Sequence, residues 1–234
     1  MSFNSYLPDT VQELVEQLGL IPHPEGGFFM ETHRSGSQPM ISRGQSDLDV
    51  PEHCLVTTTG RTDRRPDKSN QRNCITSIFW VPTAKSPVLP LTVNLSDHVH
   101  YYQGGLPFQY HIYDAPSNSL QTVVLGPNLA AGQKLQVTVT SEQWKCGKLL
   151  VTDNDIAKDS IKADYCIVAE AVAPGFDFHD FNWVDKADMD KLNDTHILGT
   201  LTPFLYKPPK AKEEQFDGHY NDDDATKQLT EERM

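Results

Sequence analysis

Short runs in which apolar and polar residues alternate follow one another from residue 74 to residue 172. Such alternation places successive side chains on opposite faces of a strand, and the runs are rich in β-branched and aromatic residues. Turn-forming sequences separate most of them, among them Gly104-Gly105, DAPSNS and GPNLAAG. The pattern predicts an all-β sandwich or barrel. The predicted strands are residues 74–81, 89–95, 98–102, 108–113, 120–126, 135–140, 144–151 and 164–173.

A further strand is predicted earlier, within the stretch HPEGGFFMETHRS at residues 23–35. Two glycines precede it, and glycine permits the backbone angles of a tight turn. We interpret this turn as bringing backbone and polar groups, Glu25 among them, to the rim of a β-barrel pocket. The strand itself alternates, with Phe28, Met30 and Thr32 on one face and Phe29, Glu31 and His33 on the other.

Helical signals occur only near the two ends of this β-rich region. Residues 9–19 carry apolar side chains at helical spacing, Thr10 and Glu13 match a capping box, and Gly19 suits the end of the helix. A short helix is predicted around residues 186–194. We therefore predict one domain over residues 1–206, with helices flanking the strands.

Two segments lack any periodic pattern. Residues 36–73 are rich in Ser, Gly, Pro, Asp and Arg, which predicts a loop insertion that is disordered or acts as a lid over the pocket. Residues 207–234 contain too little apolar surface to offset the entropy lost on ordering, so we predict a disordered acidic tail.

The charge of the chain limits its partners. A formal net charge of −12 and a pI near 5.1 argue against nucleic acid as the main partner, because phosphate binding requires clustered Lys and Arg. The basic stretch at residues 60–72 is interrupted by aspartates, and we interpret it as a solvated loop.

Cysteine spacing and hydropathy indicate the compartment. The four cysteines are far apart and form no CxxC pair, as expected for free thiols in a reducing environment. No stretch resembles a secretion signal or is apolar enough to span a membrane. We expect a cytoplasmic protein that does not associate with membranes.

The candidate catalytic residues begin with SDHVHYYQGG, residues 96–105. On a strand, His98, His100 and Tyr102 would share one face. A His-x-His pair can contribute two metal ligands, but position 103 is a glutamine and residues 135–150 contain no histidine to complete the site. We therefore predict no cofactor, although a divalent metal at His98 and His100 is not excluded.

Three other polar residues are candidates because they interrupt apolar strands. Glu170 lies within CIVAEAVA, where an inward carboxylate would need a partner, and Lys145 between Trp144 and Cys146 is a candidate for that partner. Gln136 alternates with apolar residues in LQVTVT and faces either solvent or the barrel interior. Motifs of serine hydrolases, nucleotide-binding loops and zinc proteases do not occur.

Four stretches together resemble the cupin-5 branch of the cupin superfamily, a domain of unknown function: LIPHPEGGFFMETHRS, SDHVHYYQGG, VVLGPNLAAGQKLQ and VAPGFDFHDF. The likeness covers most of residues 10–185. It implies a cupin jelly-roll β-barrel, a small-molecule cavity inside the barrel and commonly a homodimer.

The chain departs from the commoner family pattern in the middle. It has Leu91, Thr92 and Val93 where many relatives have a Trp-His-Arg triplet, and His98-Val99-His100-Tyr101 where they have an acid followed by Trp-His. The polar groups of the pocket therefore differ from those of such relatives, which argues against an inherited metal or substrate.

Three functions remain open from the sequence. The first is a metal-independent isomerase or epimerase for a small polar metabolite, with His98 or His100 as base and Tyr102 or Lys145 as acid or oxyanion partner. The second is a non-catalytic module that binds a metabolite through Glu25, Gln136 and Glu170. The third is a metal-dependent oxygenase or isomerase.

Overall fold

The alternating segments pair as antiparallel strands in two large sheets. The structure, a computed structural model, describes residues 7–36, 50–58, 70–151 and 164–207. One sheet has six strands in the order β1-β2-β5-β12-β7-β10, and the other has five in the order β13-β6-β11-β8-β9. The strands are β1 Ile21–Pro22, β2 Phe28–Arg34, β3 Leu55–Thr57, β4 Gln71–Asn73, β5 Thr76–Val81, β6 Val88–Asn94, β7 Asp97–Gly105, β8 Phe108–Asp114, β9 Ser119–Leu125, β10 Gln136–Val139, β11 Trp144–Leu149, β12 Cys166–Ala173 and β13 Phe181–Trp183.

The all-β prediction is confirmed, and each strand predicted between residues 74 and 173 exists with its ends shifted by a few residues. Within the described ranges the two sheets face each other without closing into a continuous ring of hydrogen bonds. This is a jelly-roll form of the predicted barrel. The segment that forms β13 is not predicted as a strand, because its aromatic and acidic residues do not alternate.

The main core lies between the two sheets. Trp80 of β5 and Val168 of β12 meet Leu89 of β6 and Phe108 of β8, and all four are almost fully buried. Burying a side chain of this size stabilises a fold by about 1.5–3 kcal/mol. Because the pleat directs every second residue inward, the same strands can also present polar side chains to the space beside this core.

The N-terminal helix is confirmed. Helix α1 (Val11–Leu18) begins at a capping box in which Thr10 accepts a hydrogen bond from the Glu13 amide and Glu13 accepts one from the Thr10 amide. Gly19 ends it in the left-handed conformation, with φ of 63°. Its buried Leu14 packs against the six-stranded sheet.

The C-terminal helix is only partly as predicted. Helix α2 (Lys186–Met189) begins where expected but is shorter, and a second helix, α3 (Thr195–Leu201), follows. The Asp194 side chain accepts hydrogen bonds from the amides of His196 and Ile197, so the chain starts a new helix there. Both helices cover the outer face of the five-stranded sheet, where Leu91 and Cys146 are buried.

The predicted structureless loop is wrong for its described parts. Residues Glu52–Cys54 form a 3₁₀ turn, and β3 pairs with β4 in a small two-stranded sheet. Arg72, which belongs to the predicted solvated basic loop, is buried against Asp180, a partner far away in sequence. Residues 37–49, 59–69 and 208–234 lie outside the described residues, so the predictions of a lid and of a disordered tail are not tested.

The helices offer no candidate for a membrane span. In the described part of the chain, none is both long and apolar enough to cross a bilayer.

Candidate functional site

A tight turn at residues 23–27 begins the site. His23 and Gly27 are joined by a backbone hydrogen bond of 2.9 Å, and the Gly26 carbonyl accepts a hydrogen bond of 3.0 Å from the Trp80 indole. Gly27 has φ of 75°, and a Cβ there would lie 2.3 Å from the Val81 carbonyl oxygen. Only glycine allows this close approach. The turn thereby carries His23 and Glu25 into the wall of a cavity between the sheets.

Two neighbouring strands provide the histidines and a carboxylate. His98 and His100 of β7 point inward and are almost fully buried, whereas Tyr101, the next residue along the strand, is exposed. On β12, Glu170 is the register partner of His100, so its carboxylate lies beside both imidazoles. Lys145 of β11 reaches the same point from the opposite sheet.

Glu170 is the centre of a buried hydrogen-bonded cluster. Its Oε1 contacts His98 Nδ1 and accepts a hydrogen bond from Lys145 Nζ at 3.2 Å. Its Oε2 lies 3.7 Å from His100 Nδ1. Lys145 Nζ is also 3.1 Å from His98 Nδ1. The His100 Nδ1 in turn lies 3.3 Å from the Tyr110 hydroxyl.

The charges of the cluster follow from burial and from this pairing. Burial alone would raise the pKa of Glu170, but Lys145 and the two imidazoles hold that pKa well below its usual range. Burial, with Lys145 nearby, lowers the pKa of His98, and burial lowers the pKa of His100 to about 3 against the opposing effect of Glu170. At neutral pH the cluster therefore contains an ionised Glu170 carboxylate and two neutral imidazoles.

The hydrogen bonds assign the tautomer of His98. An ionised carboxylate only accepts, so His98 Nδ1 donates its proton to Glu170, and Nε2 carries the lone pair. The Nε2 atoms of His98 and His100 are buried and have no hydrogen-bond partner in the described structure. Buried polar atoms are normally paired, and an orphaned one at a cavity points to a role in binding or catalysis.

Glu25 and His23 are a second pair of titratable groups in the cavity wall. Burial raises the pKa of Glu25 to about 7, with Lys145 opposing this rise and Glu170 adding to it. Burial lowers the pKa of His23 to about 4, although Glu170 opposes the effect. The His23 Nδ1 accepts a hydrogen bond from the Glu25 amide at 3.1 Å. Near pH 7 Glu25 can thus carry an exchangeable proton beside neutral histidines.

The rest of the cavity wall is largely apolar. The centre of a water molecule can move through about 80 Å³ of the cavity, enough for several waters or a small ligand. The polar cluster occupies one part of the wall, and carbon surface covers most of the remainder. The lining residues outside the cluster are Pro24, Phe29, Glu31, Thr76, Ile78, Trp80, Leu89, Val172, Phe176, Phe178 and Phe181.

Five of the seven predicted site residues line this cavity: His98, His100, Lys145, Glu25 and Glu170. The other two do not. Gln136 is exposed on β10, so it lies on the solvent side of the two faces that the sequence left open and is not a ligand-binding group of the cavity. Tyr102 packs against the main core instead, and its hydroxyl donates to the Gly105 carbonyl at 2.5 Å. Tyr102 is the register partner of Val168, next to a bulge between Ile167 and Val168.

Sequence reasoning missed three polar residues of the site. His23 lies in the predicted turn without a predicted role, and Tyr110 is one of several alternating aromatics in its strand. Glu31 shares a strand face with Phe29, which was the available signal, and both line the cavity. Arg34 holds Glu31 through two hydrogen bonds of 2.8 and 2.9 Å.

His98, His100 and Glu170 have the donor types of a transition-metal site, and one ligand atom from each lies within 4.8 Å of the others. The charge of the cluster does not fit a divalent cation, however. The Lys145 ammonium already sits 3.1 Å from one donor and 3.2 Å from another, and it would repel a metal ion at that point. His98 and Glu170 thus already have a cation beside them, the Lys145 side chain.

Two facing antiparallel sheets around a lined cavity define the class of protein as a jelly-roll protein with an internal cavity. The chain belongs to the family described as Cupin superfamily (DUF985), whose model matches residues 12–184. The resemblance inferred from the sequence is therefore confirmed.

Relatives of known sequence or structure extend over most of the chain. The uncharacterized protein YML079W of Saccharomyces cerevisiae is 26% identical over 212 residues, which cover 89% of this chain and 86% of the yeast protein. A hypothetical protein from Leishmania major has a similar structure, with a TM-score of 0.63, 24% identity and coverage of 85% and 99% of the two chains. The protein SO0799 from Shewanella oneidensis also has a similar structure, with a TM-score of 0.58 and 18% identity. The match covers 85% of this chain and 98% of the Shewanella protein. These structural likenesses support the fold and leave the function open.

Proposed function

We propose that the protein is a metal-independent isomerase or epimerase that acts on a small molecule in the cavity, with His98 as general base. The observation that carries this proposal is the bond between the buried Glu170 carboxylate and His98 Nδ1. It leaves the opposite ring nitrogen with a lone pair and no partner in the described structure. A carboxylate behind an imidazole orients the ring and stabilises the imidazolium that forms when the base takes a proton.

The proposed reaction moves one proton. His98 Nε2 takes a proton from a carbon next to a carbonyl group of the substrate, and the bonding electron pair passes to the carbonyl oxygen. Glu25 supplies a proton to the resulting enolate, because its carboxyl is still partly protonated near pH 7. In an isomerisation, His98 gives its proton to the adjacent carbon while Glu25 takes the proton of the adjacent hydroxyl, which becomes the new carbonyl. In an epimerisation, a water molecule on the opposite face gives a proton to the original carbon, Glu25 takes back the enol proton, and the hydroxide that is left takes the proton of His98.

His98 is preferred to His100 because of their partners. His98 contacts both Glu170 and Lys145, whereas His100 Nδ1 lies near the Tyr110 hydroxyl and is 3.7 Å from the carboxylate. Lys145 keeps Glu170 ionised, so that the carboxylate can stabilise the imidazolium that forms on His98. This proposal gives the acid role to Glu25 in place of Tyr102, whose hydroxyl is bonded to backbone.

Hydrogen exchange tests the proposal even while the substrate is unidentified. The protein is incubated in D₂O with a library of small carbonyl compounds, and deuterium at carbon is measured by mass spectrometry. We expect turnover-dependent exchange by the unaltered protein and a loss of about 10²–10⁴-fold in His98→Gln. His196→Gln, which alters an exposed histidine on α3, is the control and retains the rate. Exchange that persists in His98→Gln contradicts the proposal.

The apolar wall supports a second candidate, a non-catalytic binding protein. Clefts lined mostly by carbon with a few polar groups are typical of sites that retain a small molecule. Native mass spectrometry distinguishes the two functions. A co-purifying ligand that is recovered unaltered, with no deuterium at carbon after long incubation, favours binding over catalysis.

A further inference from the structure

Among the described residues that line the cavity, no Lys or Arg side chain is available to pair with an anionic ligand. Lys145 is the only Lys or Arg among the described residues that line it, and its ammonium is bonded to Glu170. Glu31 is likewise paired with Arg34. A phosphate or carboxylate that entered would have to be desolvated without gaining a positive partner, which is unfavourable in a buried site.

Two arginines next to lining residues, Arg34 and Arg72, already form hydrogen bonds with buried carboxylates. Arg34 donates to both Glu31 oxygens, to the Asn73 side chain and to the Phe176 carbonyl. Arg72 donates to both oxygens of Asp180 and to the Gln71 carbonyl. Binding of a diphosphate or carboxylate through either guanidinium would break buried hydrogen bonds that are already in place.

Aromatic side chains form much of the rest of the cavity wall. Phe176 and Phe178 pack edge to face with ring centroids 5.0 Å apart, and Phe181 lies 6.2 Å from Phe176. Trp80 offers only its carbon surface, because its indole nitrogen donates to the Gly26 carbonyl. Such a wall accommodates a flat or apolar body through dispersion and burial of apolar surface.

Few polar groups of the wall can form hydrogen bonds with a neutral ligand. Glu25 lines the cavity near neutral imidazoles, and the Nε2 atoms of His98 and His100 have no partner in the described structure. These groups can exchange hydrogen bonds with a carbonyl, hydroxyl or amide. They do not supply a full positive charge.

We propose that the ligand is a small uncharged molecule whose apolar or ring-shaped body lies on the aromatic wall and whose polar group meets His98 and Glu25. This inference rests on the proposed function in taking the same cavity as the site of action, and it narrows the substrate class. It disfavours nucleotide-linked sugars, phosphate esters and carboxylates. A neutral carbonyl compound can place its apolar part against the aromatic wall and its carbonyl group near His98 and Glu25.

Three probes of nearly equal shape and different charge test the proposal: benzamide is neutral, benzoate is an anion and benzamidine is a cation. Dissociation constants are measured at pH 6 by ligand-observed NMR with the full chain. We expect benzamide to bind at least about tenfold more tightly than benzoate, because the anion would be buried unpaired. Benzamidine is expected to bind no more tightly than benzamide. Benzoate binding equal to or tighter than that of benzamide, or no binding of benzamide, overturns the proposal.

Two variants locate the probe. Ile78→Phe fills the cavity and should abolish benzamide binding, whereas Ile75→Phe enlarges an exposed isoleucine that does not line it and should leave binding unchanged. Glu31→Gln removes the carboxylate that neutralises Arg34, and it should narrow the preference for benzamide over benzoate at least about fivefold. Benzamide binding that survives Ile78→Phe, or an unchanged preference in Glu31→Gln, contradicts the proposal.

The binding experiment is independent of turnover. If His98→Gln retains deuterium exchange but the neutral probe is preferred, the catalytic proposal fails and the ligand class stands. If exchange depends on His98 but benzoate is preferred, the ligand class fails and the catalytic proposal stands.

Discussion

At the scale of single residues, Lys145 determines the charge of the cavity. Its ammonium is bonded to Glu170 and lies near His98, two of the three groups that would otherwise hold a metal. A positive side chain at this point compensates the buried carboxylate as a metal ion would, but it cannot act as a Lewis acid. The expectation of metal-independent chemistry depends on this one side chain.

Removal of Lys145 should therefore create a metal site. In Lys145→Met the carboxylate and the two imidazoles lose their internal cation, and we expect the variant to bind about one Zn²⁺ or Ni²⁺ per chain with His and Glu ligands. Calorimetry and elemental analysis of protein purified without a histidine tag measure this. The unaltered protein should bind far below one equivalent.

Lys148→Met is the matched control, since Lys148 lies on the same strand and is exposed. It should behave as the unaltered protein does. Stoichiometric metal in the unaltered protein would contradict both this prediction and the metal-independent mechanism.

Glu25 should make stability depend on pH in a definite direction. Its pKa is about 7 in the folded chain and about 4.5 when exposed, so between these values the unfolded chain loses a proton that the folded chain keeps. The contribution of Glu25 to stability is thus full below pH 4.5 and is lost as the pH rises towards 7. Glutamine cannot ionise. When the pH is raised from 4.5 to 8, the free energy of unfolding of Glu25→Gln should therefore increase by about 1–3 kcal/mol relative to that of the unaltered protein.

Chemical denaturation at the two pH values measures this difference. Glu16→Gln, a change to an exposed carboxylate on α1, serves as the control and should show no comparable gain. An equal effect of Glu25→Gln at both pH values would indicate that Glu25 is already ionised in the folded protein.

At the scale of elements, a buried ion pair holds the aromatic wall in place. Arg72 at the centre of β4 forms two hydrogen bonds of 2.8 Å with Asp180, which follows the segment that carries Phe176 and Phe178. The small β3–β4 sheet is thereby tied to the chain just after β12. The ion pair explains why part of the predicted loop is ordered.

Breaking this pair should destabilise the fold strongly. Arg72→Met leaves Asp180 buried without its guanidinium, and we expect a loss of about 3–5 kcal/mol in the free energy of unfolding, measured by urea denaturation. The double variant Arg72→Met/Asp180→Leu should recover much of that loss, because both buried charges are then removed.

Lys186→Met, which breaks an exposed ion pair with Asp190, is the control and should change stability little. A loss in Arg72→Met no larger than in Lys186→Met would show that the buried pair does not hold the wall.

At the scale of the whole molecule, the family resemblance predicts a homodimer. The six-stranded sheet ends at β10, which pairs only with β7 among the described strands, and Leu135 beside it is 51% exposed. An edge strand presents unpaired backbone groups with which a strand of another chain can pair. Sedimentation equilibrium should give twice the chain mass of 26.3 kDa. A single-chain mass that persists at high protein concentration would contradict the dimer.

Local patterns predicted most of the fold and part of the site. Period-two alternation identified the strands, and the capping box of Thr10 and Glu13 identified α1, because these signals depend on neighbouring residues. The same alternation put His98 and His100 on one face, and the odd carboxylate in CIVAEAVA pointed to Glu170. Alternation alone could not tell the two faces of β10 apart, so Gln136 remained a candidate for the cavity although its side chain is exposed.

The sequence by itself therefore determined the strands, the first helix, the family and the chemical types of the residues in the cavity. The tertiary structure alone decided which of these residues meet. Glu170 reaches His98 through the register of β12 with β7, Lys145 reaches both across the space between the sheets, and Arg72 finds Asp180 over a separation of 108 residues. Such contacts depend on the packing of whole sheets, and no short stretch of sequence encodes the position of its distant partner.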